Sequence, residues 1–388
     1  MECMITTFAH GNGPYSRIID LGLAINERLD ERLPIIVPLV YGDRQKKIIS
    51  ESFGENDLIL FDEFYGDILN ELFFKKGHYQ RSLEFLLENQ PRLEEKLRDY
   101  LSGTLRTHTF DGREVLVNGD DVAFEISHNP RVATGYEKSF HTTIGFFSEI
   151  LTKTIFEGLG FCTELLKGVR GIVGKIEDDK TLHFMPEPFV FSYDGLRKRW
   201  KDEIFTPPFI HIPKESDEGV SEGMYVMLTG IDGLKSLFEG VHKFGMKLYC
   251  PPFVNLEDAD NNHTPEFIVN PNIRYQFART GWSSVWLSHM TETPLITPAY
   301  SEGDDPEIYF NEKTVKALKI ATIFDGLQKP EEILVRADSL RPNLELVNKR
   351  LIDNYGTLDG VDYTARIIVD YLEGRDISSC REVEPCLK

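Results

Sequence analysis

Residues 279–307 read RTGWSSVWLSHMTETPLITPAYSEGDDPE, and this stretch decides the fold. Gly281, with Ser283 and Ser284, opens a helix. The first backbone N–H groups of a helix have no intrahelical partner, and small residues there let an anion approach closely. Val285, Trp286, Leu287 and Met290 follow. Pro294 then starts a short apolar strand, Leu295-Ile296-Thr297, which Pro298 stops. Gly303-Asp304-Asp305-Pro306-Glu307 comes next, a loop of carboxylates past a strand's carboxyl end, where open α/β sheets place their ligands. Amides suited to phosphate are followed, one strand later, by acceptors suited to sugar hydroxyls. That pairing suits a nucleotide-sugar.

Working outward, strand and helix signals alternate on both sides. Residues 4–8 form a first strand, followed by the loop HGNGPY and a helix. Ser16 is a candidate N-cap, with Ile18, Leu21, Ile25 and Leu29 on one helical face. A strand over 34–41, a helix over 43–52 and a strand over 58–61 continue the β-loop-α-β order of a parallel, doubly wound sheet. Residues 63–102 read as long and helical. The DG and NGDD turns within 110–126 predict hairpins. An apolar-rich helix is expected over 141–158 and a strand over 181–185. Residues 186–221, rich in Pro, Gly and charge, read as a linker. Beyond it the pattern predicts strands over 224–228, 247–250, 267–269 and 322–324. Helices are predicted over 233–244, 273–278 and 306–320, with two more to about residue 374.

The expected architecture is α/β, two Rossmann-like domains facing each other across a cleft. They are an N-terminal domain over 1–215 and a C-terminal domain over 216–360. A final helical segment, 361–388, is expected to pack back on the first domain. The length of 388 residues fits two domains.

Charge narrows the partners. With 63 acidic against 43 basic residues the net charge is −20, which argues against nucleic acid and against tight adhesion to an anionic membrane. A small anion in a locally basic site is still allowed. Cys3, Cys162, Cys250, Cys380 and Cys386 are scattered and odd in number, as expected of reduced thiols. MECMITTFAH reads as a first strand and not a signal peptide, and no apolar run is long enough for a transmembrane segment. The expected location is cytoplasmic, and oligomeric state is left open.

Other stretches carry chemistry. In HGNGPYSR, Gly11 and Gly13 permit positive φ and close ligand approach, and His10 is a candidate general base towards a hydroxyl. The alternative is a strand-end histidine beside glycines that only make a turn. MYVMLTG ends in Thr229-Gly230, a second candidate anion-contacting turn. Asp258-Ala259-Asp260 could hold a divalent cation, but its Asn- and Asp-rich surroundings favour a solvated turn. HTTIGFFSEILTKTIF, starting at His141, reads as a buried core helix.

Taken together, HGNGPYSRIIDLGLA, MYVMLTG and the 279–307 stretch resemble glycosyltransferases of the two-Rossmann (GT-B) type. The likeness is to the UDP-sugar-dependent enzymes and the bacterial lipid-linked N-acetylglucosaminyltransferases. The resemblance places Gly11, Asn12, Gly13 and Arg17 towards the acceptor. Their second-domain motif, H-x-G-W-x-S, binds the donor diphosphate; here Gly281, Trp282 and Ser284 match it and Ser283 takes its variable place. Thr229 and Gly230 join that diphosphate set. Asp304, Asp305 and Glu307 stand where an acidic-Gln pair holds the donor sugar. Arg279 replaces the motif's histidine, and a guanidinium pairs well with phosphate. Leu287 replaces a ribose-contacting glutamate, and Ser16 a first-loop histidine.

The function expected is transfer of a hexose from a nucleotide-diphosphate sugar, a UDP-sugar first, to an acceptor hydroxyl, with no metal and no cofactor. Helix-terminal amides and Arg279 would offset charge growing on the leaving diphosphate. Two rivals stand beside it. A sugar-nucleotide epimerase on the same scaffold would convert the donor without acceptor. A non-catalytic sugar-nucleotide-binding protein would bind without turnover.

Overall fold

The computed structural model describes residues 2–9, 12–72, 79–194, 202–214, 219–228, 233–301 and 304–387. It falls into two compact units. The first comprises Met1–Met185, Lys198–Thr206 and Val361–Val383, and the second Pro186–Arg197, Pro207–Gly360 and Glu384–Lys388.

Among the described residues the first unit is built on nine strands. β1 (Cys3–Phe8), β2 (Ile35–Pro38) and β3 (Ile59–Asp62) alternate with helices α1 (Asn12–Asn26), α2 (Asp43–Phe53) and α3 (Glu63–Leu72). After α4 (Tyr79–Leu101) come β4 (Thr104–His108), β5 (Glu114–Asn118), β6 (Val122–His128) and β7 (Ser139–Thr142). Then follow α5 (Phe147–Phe156), α6 (Thr163–Asp178), β8 (Leu182–Pro186) and β9 (Glu203–Thr206). The spatial order is β5-β4-β3-β2-β1-β6-β7-β8-β9. In that order β3, β2, β1, β6, β7 and β8 pair in parallel, while β4 pairs antiparallel with β3 and with β5 at the edge. Every residue of β1, β2 and β3 is buried, as helices on both faces of a parallel sheet require. The polar residues among them are satisfied: Thr6 donates to the Ile36 carbonyl at 3.0 Å, and Asp62 accepts from the Tyr65 amide at 2.9 Å.

Among the described residues the second unit carries six strands, all parallel. They are β10 (Gly223–Val226), β11 (Lys247–Tyr249), β12 (Ala259–Asp260), β13 (Ile273–Phe277), β14 (Leu295–Pro298) and β15 (Ala321–Phe324). Its helices are α7 (Leu234–Lys243), α8 (Trp282–Met290), α9 (Pro306–Leu318), α10 (Pro330–Asp338) and α11 (Arg341–Tyr355). The order β12-β11-β10-β13-β14-β15 reverses direction between β10 and β13, the switch point where such sheets bind ligands at their carboxyl edge. One face packs Met224, Val226, Leu237, Leu248, Phe277 and Ile333; the other packs Tyr225, Tyr249, Phe267, Ile273 and Leu287. Most of α12 (Gly360–Leu372), and α13 (Ser378–Arg381), return to the first unit, where Tyr371 meets Phe140 at 5.7 Å between ring centroids.

Several local expectations differ from what forms. Most of the helix expected over 273–278 is instead the strand Ile273–Phe277: Ile273, Tyr275 and Phe277 are β-branched or aromatic, and the strand is paired on both sides by β10 and β14. The strand expected at 267–269 is a 3-10 turn, Pro265–Val269. α1 starts at Asn12, so Ser16 lies inside the helix and is no N-cap. Only the DG turn makes a hairpin; NGDD folds as a 3-10 turn that delivers β6 parallel to β1. His141 belongs to β7, with the helix beginning at Phe147. Within the stretch read as a linker, Glu203–Thr206 is a buried strand.

Candidate functional site

β13 and β14 are neighbours, and both release their chains at the carboxyl edge of the second sheet. After β13 the chain runs Ala278-Arg279-Thr280-Gly281 into α8; after β14 it runs to Asp304 and Asp305 and into α9. Asn311 of α9 donates to the Thr280 carbonyl at 2.7 Å and to Glu307 Oε1 at 3.1 Å, which ties the first loop to the second helix.

Gly281 is the N-cap of α8 at φ −71° and ψ 139°, with no side-chain cap. Its backbone therefore does not require glycine, and a Cβ built there meets nothing within 4 Å. Neither strain nor packing explains the residue, whereas open space beside a helix start is what an approaching anion needs. The amides of Trp282 and Ser284 have no acceptor among the described residues. Trp282 is buried and stacks near Trp286 at 5.8 Å, and the Trp286 indole N–H donates to the Pro188 carbonyl at 2.9 Å. These rings fix the first turn beside the Trp282 and Ser284 amides. At the far end, His289 Nδ1 bonds Asn348 Oδ1 at 2.8 Å, and burial pushes this imidazole down to about 4.

The structure brings Arg279 and Asp304 together: Nη1 lies 2.5 Å from Oδ2. Asp304 also accepts from the Ser301 amide at 3.1 Å and hydroxyl at 3.0 Å. Asp305 caps α9, taking the Glu307 amide at 2.9 Å ahead of Pro306. Both acidic side chains thus already hold protein groups, with Asp304 the better placed to exchange them. Leu287 is buried against Tyr225, Phe267 and Ile268, so apolar packing accounts for it.

Of the remaining expected residues, His10, Gly11, Thr229 and Gly230 lie outside the described residues. Asn12 begins α1, and Gly13 and Arg17 lie within it. Gly13 is helical and needs no positive φ, which corrects the turn reading of that glycine. Asp258 has φ 61°, and Asp260 pairs with His263 at 3.1 Å.

Arg17 faces a group that spacing did not reveal. His128 ends β6 beside β1 and is buried; burial, then Arg17 and Arg131, push its imidazole down to about 3. Its Nδ1 lies 3.0 Å from Thr142 Oγ1. Next to it His141 is sealed, its Nδ1 2.9 Å from His183 Nδ1 and its Nε2 accepting from the Asn129 amide at 3.2 Å. The fold brings these histidines together from three strands that are neighbours in the sheet, β6, β7 and β8.

No family profile and no curated protein matches the sequence. Solved structures do match across nearly the whole chain. A UDP-glucosyltransferase from Polygonum tinctorium capable of glucosylating indoxyl superposes with TM-score 0.60 at 10% identity, covering 97% of this chain and 99% of that one. The glycosyltransferase SnogD from Streptomyces nogalater gives 0.58 at 10% identity, over 96% and 99%. Phytolacca americana UGT2, complexed with UDP-2fluoro-glucose and pterostilbene, gives 0.57 at 11% identity, over 96% and 99%. The fold is GT-B. A GT-B chain has two parallel-sheet Rossmann-like domains, and the two units here answer to that description. Among the described residues no helix is long and apolar enough to cross a membrane.

Proposed function

We propose that this chain is a glycosyltransferase that moves a hexose from a nucleotide-diphosphate sugar, a UDP-sugar first, to an acceptor hydroxyl. The second unit would take the donor and the first the acceptor. One observation carries the reading: an uncapped helix start at a sheet's switch point, with the Trp282 and Ser284 amides open, no described atom within 4 Å of a Cβ at Gly281, and Arg279 two residues before that glycine. The fold supports it, as does the fact that one structure of that fold, Phytolacca americana UGT2, is a complex with UDP-2fluoro-glucose and pterostilbene.

In this reading the Trp282–Ser284 amides and Arg279 bind the diphosphate, and Thr229 and Gly230 complete the set. As the bond from the anomeric carbon to the phosphate oxygen breaks, the electron pair passes to the diphosphate. Fixed donors stabilise that growing charge without reorganising. The acceptor oxygen bonds to the anomeric carbon, and the hydroxyl proton leaves to a base, for which His10 is the candidate. Asp304, released from Arg279 when phosphate replaces it, would hold sugar hydroxyls together with Asp305 and Glu307. No step calls on a metal.

The test is incubation of the full chain with UDP-, GDP- and TDP-sugars and a panel of hydroxylic acceptors, followed by mass spectrometry. A product heavier by one hexose, formed only with acceptor present, is expected. Donor epimerised without acceptor, or no consumption of any donor, would reject the proposal.

A further inference from the structure

The contacts of the His128 imidazole fit one tautomer. Thr142 has a single hydroxyl proton, and its Oγ1 donates to the Ser127 carbonyl at 3.1 Å. Towards His128 Nδ1, 3.0 Å away, that oxygen can therefore only accept. Nδ1 carries the hydrogen, and the lone pair is left on Nε2. That atom has no partner among the described residues, although the side chain is only 4% exposed. Such a lone pair, left accessible on an otherwise buried ring, is an acceptor set for a donor from outside the protein.

Its place in the fold points the same way. His128 is the last residue of β6, paired with Phe8 of β1, at the carboxyl edge of the first sheet. That sheet, like the second, reverses direction at this pair of strands, so His128 stands at its switch point. The backbone turns at once into a left-handed conformation, with Asn129 at φ 45°. Three contacts hold that turn: the Asn129 amide on His141 Nε2 at 3.2 Å, the Thr143 hydroxyl on Asn129 Oδ1 at 2.7 Å, and Arg131 Nη1 on the Asn129 carbonyl at 2.9 Å. Charged and titratable groups around the ring come from separate segments: Arg17 from α1, Arg131 from the loop after β6, and His141 from β7. Both arginines favour the neutral ring, which is an acceptor at one nitrogen only.

We propose that His128, in place of His10, holds the nucleophilic hydroxyl of the acceptor, its Nε2 lone pair receiving the O–H while Thr142 keeps the ring in register. The ligand class is a neutral alcohol or phenol. A carboxylate or ketone presents no proton to this nitrogen. The assignment deepens the sugar-transfer reading and depends on it for its catalytic meaning, but the hydrogen bond itself can be tested alone.

The first arm uses the full chain labelled with 15N-histidine, with phenol as the probe. At neutral pH the His128 ring, assigned by loss of its signals in His128→Gln, should show a protonated Nδ1 and an unprotonated Nε2, and phenol should shift the Nε2 resonance. A protonated Nε2, or one that phenol leaves unmoved, overturns the proposal whether or not the protein transfers sugar. The second arm measures transfer from a UDP-sugar. His128→Phe should lower kcat/KM for the acceptor about 100-fold, the cost of misplacing a reacting group, with the Kd for UDP unchanged. His128→Gln, whose amide oxygen can accept the same bond, should recover activity to within tenfold of the parent. His128→Phe within threefold of the parent would also overturn the assignment. A parent chain that binds no UDP would reject the sugar-transfer reading separately, while the phenol titration still decides the role of His128.

Discussion

Arg279 meets Asp304 at 2.5 Å, with the guanidinium side chain 38% exposed, and the worth of that pair decides whether a ligand can displace it. Half-exposed ion pairs contribute about 1 kcal/mol or less. Charge-assisted hydrogen bonds from arginine to phosphate are worth about 1.5–3 kcal/mol. A diphosphate, with more charge than one carboxylate, should therefore win. Arg279→Ala is expected to raise the Kd for UDP at least tenfold, measured by calorimetry, with melting unchanged. Asp304→Asn should leave UDP binding equal or tighter, because the arginine is freed, yet remove any preference for UDP-glucose over UDP. Tighter UDP-glucose binding in that variant would take the sugar-holding role away from Asp304. At this scale the sequence showed which residue types meet at the loop. It could not show that Arg279 and Asp304 are partners already, because their contact depends on β13 and β14 being neighbours.

Among the elements, α8 was legible because glycine and small polar residues punctuate its start and Pro294 follows its end. β13 was not, since IRYQF has no alternation when both faces of a central strand are covered. α6 was unseen because Gly168, Gly171 and Gly174 interrupt its sequence, and tertiary packing of Leu166, Val169 and Val173 overrides their weak helix preference. Two elements give tests. In α3 a Cβ on Gly66 would lie 2.3 Å from the Leu39 carbonyl oxygen, so Gly66→Ala should lower Tm by several degrees, as overpacking costs about 1–3 kcal/mol. Glu177, at the end of α6, caps α5 by accepting the Phe147 amide at 2.7 Å and the Ser148 amide at 3.3 Å. Burial pushes its carboxyl up to about 7. Between the unfolded value near 4.5 and 7 the folded state binds the extra proton, so stability from this group falls as pH rises through that window. Glu177→Gln should thus raise Tm at pH 8, by up to about 3 kcal/mol of stability, and leave it nearly unchanged at pH 4.5.

For the whole molecule, alternation of strands and helices revealed two parallel sheets, and the strand orders then fixed where their ligand edges lie. The buried histidines were the least legible part. His128 and His289 are pushed down to about 3 and 4, and His141 well below its usual value, all chiefly by burial. Their folded values lie below the unfolded value near 6.5, so the unfolded chain binds more protons. Their contribution is complete above about pH 6.5 and is lost as pH falls towards 4. The urea midpoint should drop over that range, and a midpoint unchanged down to pH 4 would refute their neutral burial.

The account turns on open helix amides that receive a diphosphate beside Gly281, and calorimetric titration of UDP into the parent chain and Gly281→Val tests this most directly. Among the described residues no atom lies within 4 Å of a Cβ placed there, so both proteins should melt alike. UDP should bind the parent and lose at least tenfold in affinity to the variant. Equal affinities, or no heat with either protein, would contradict the account.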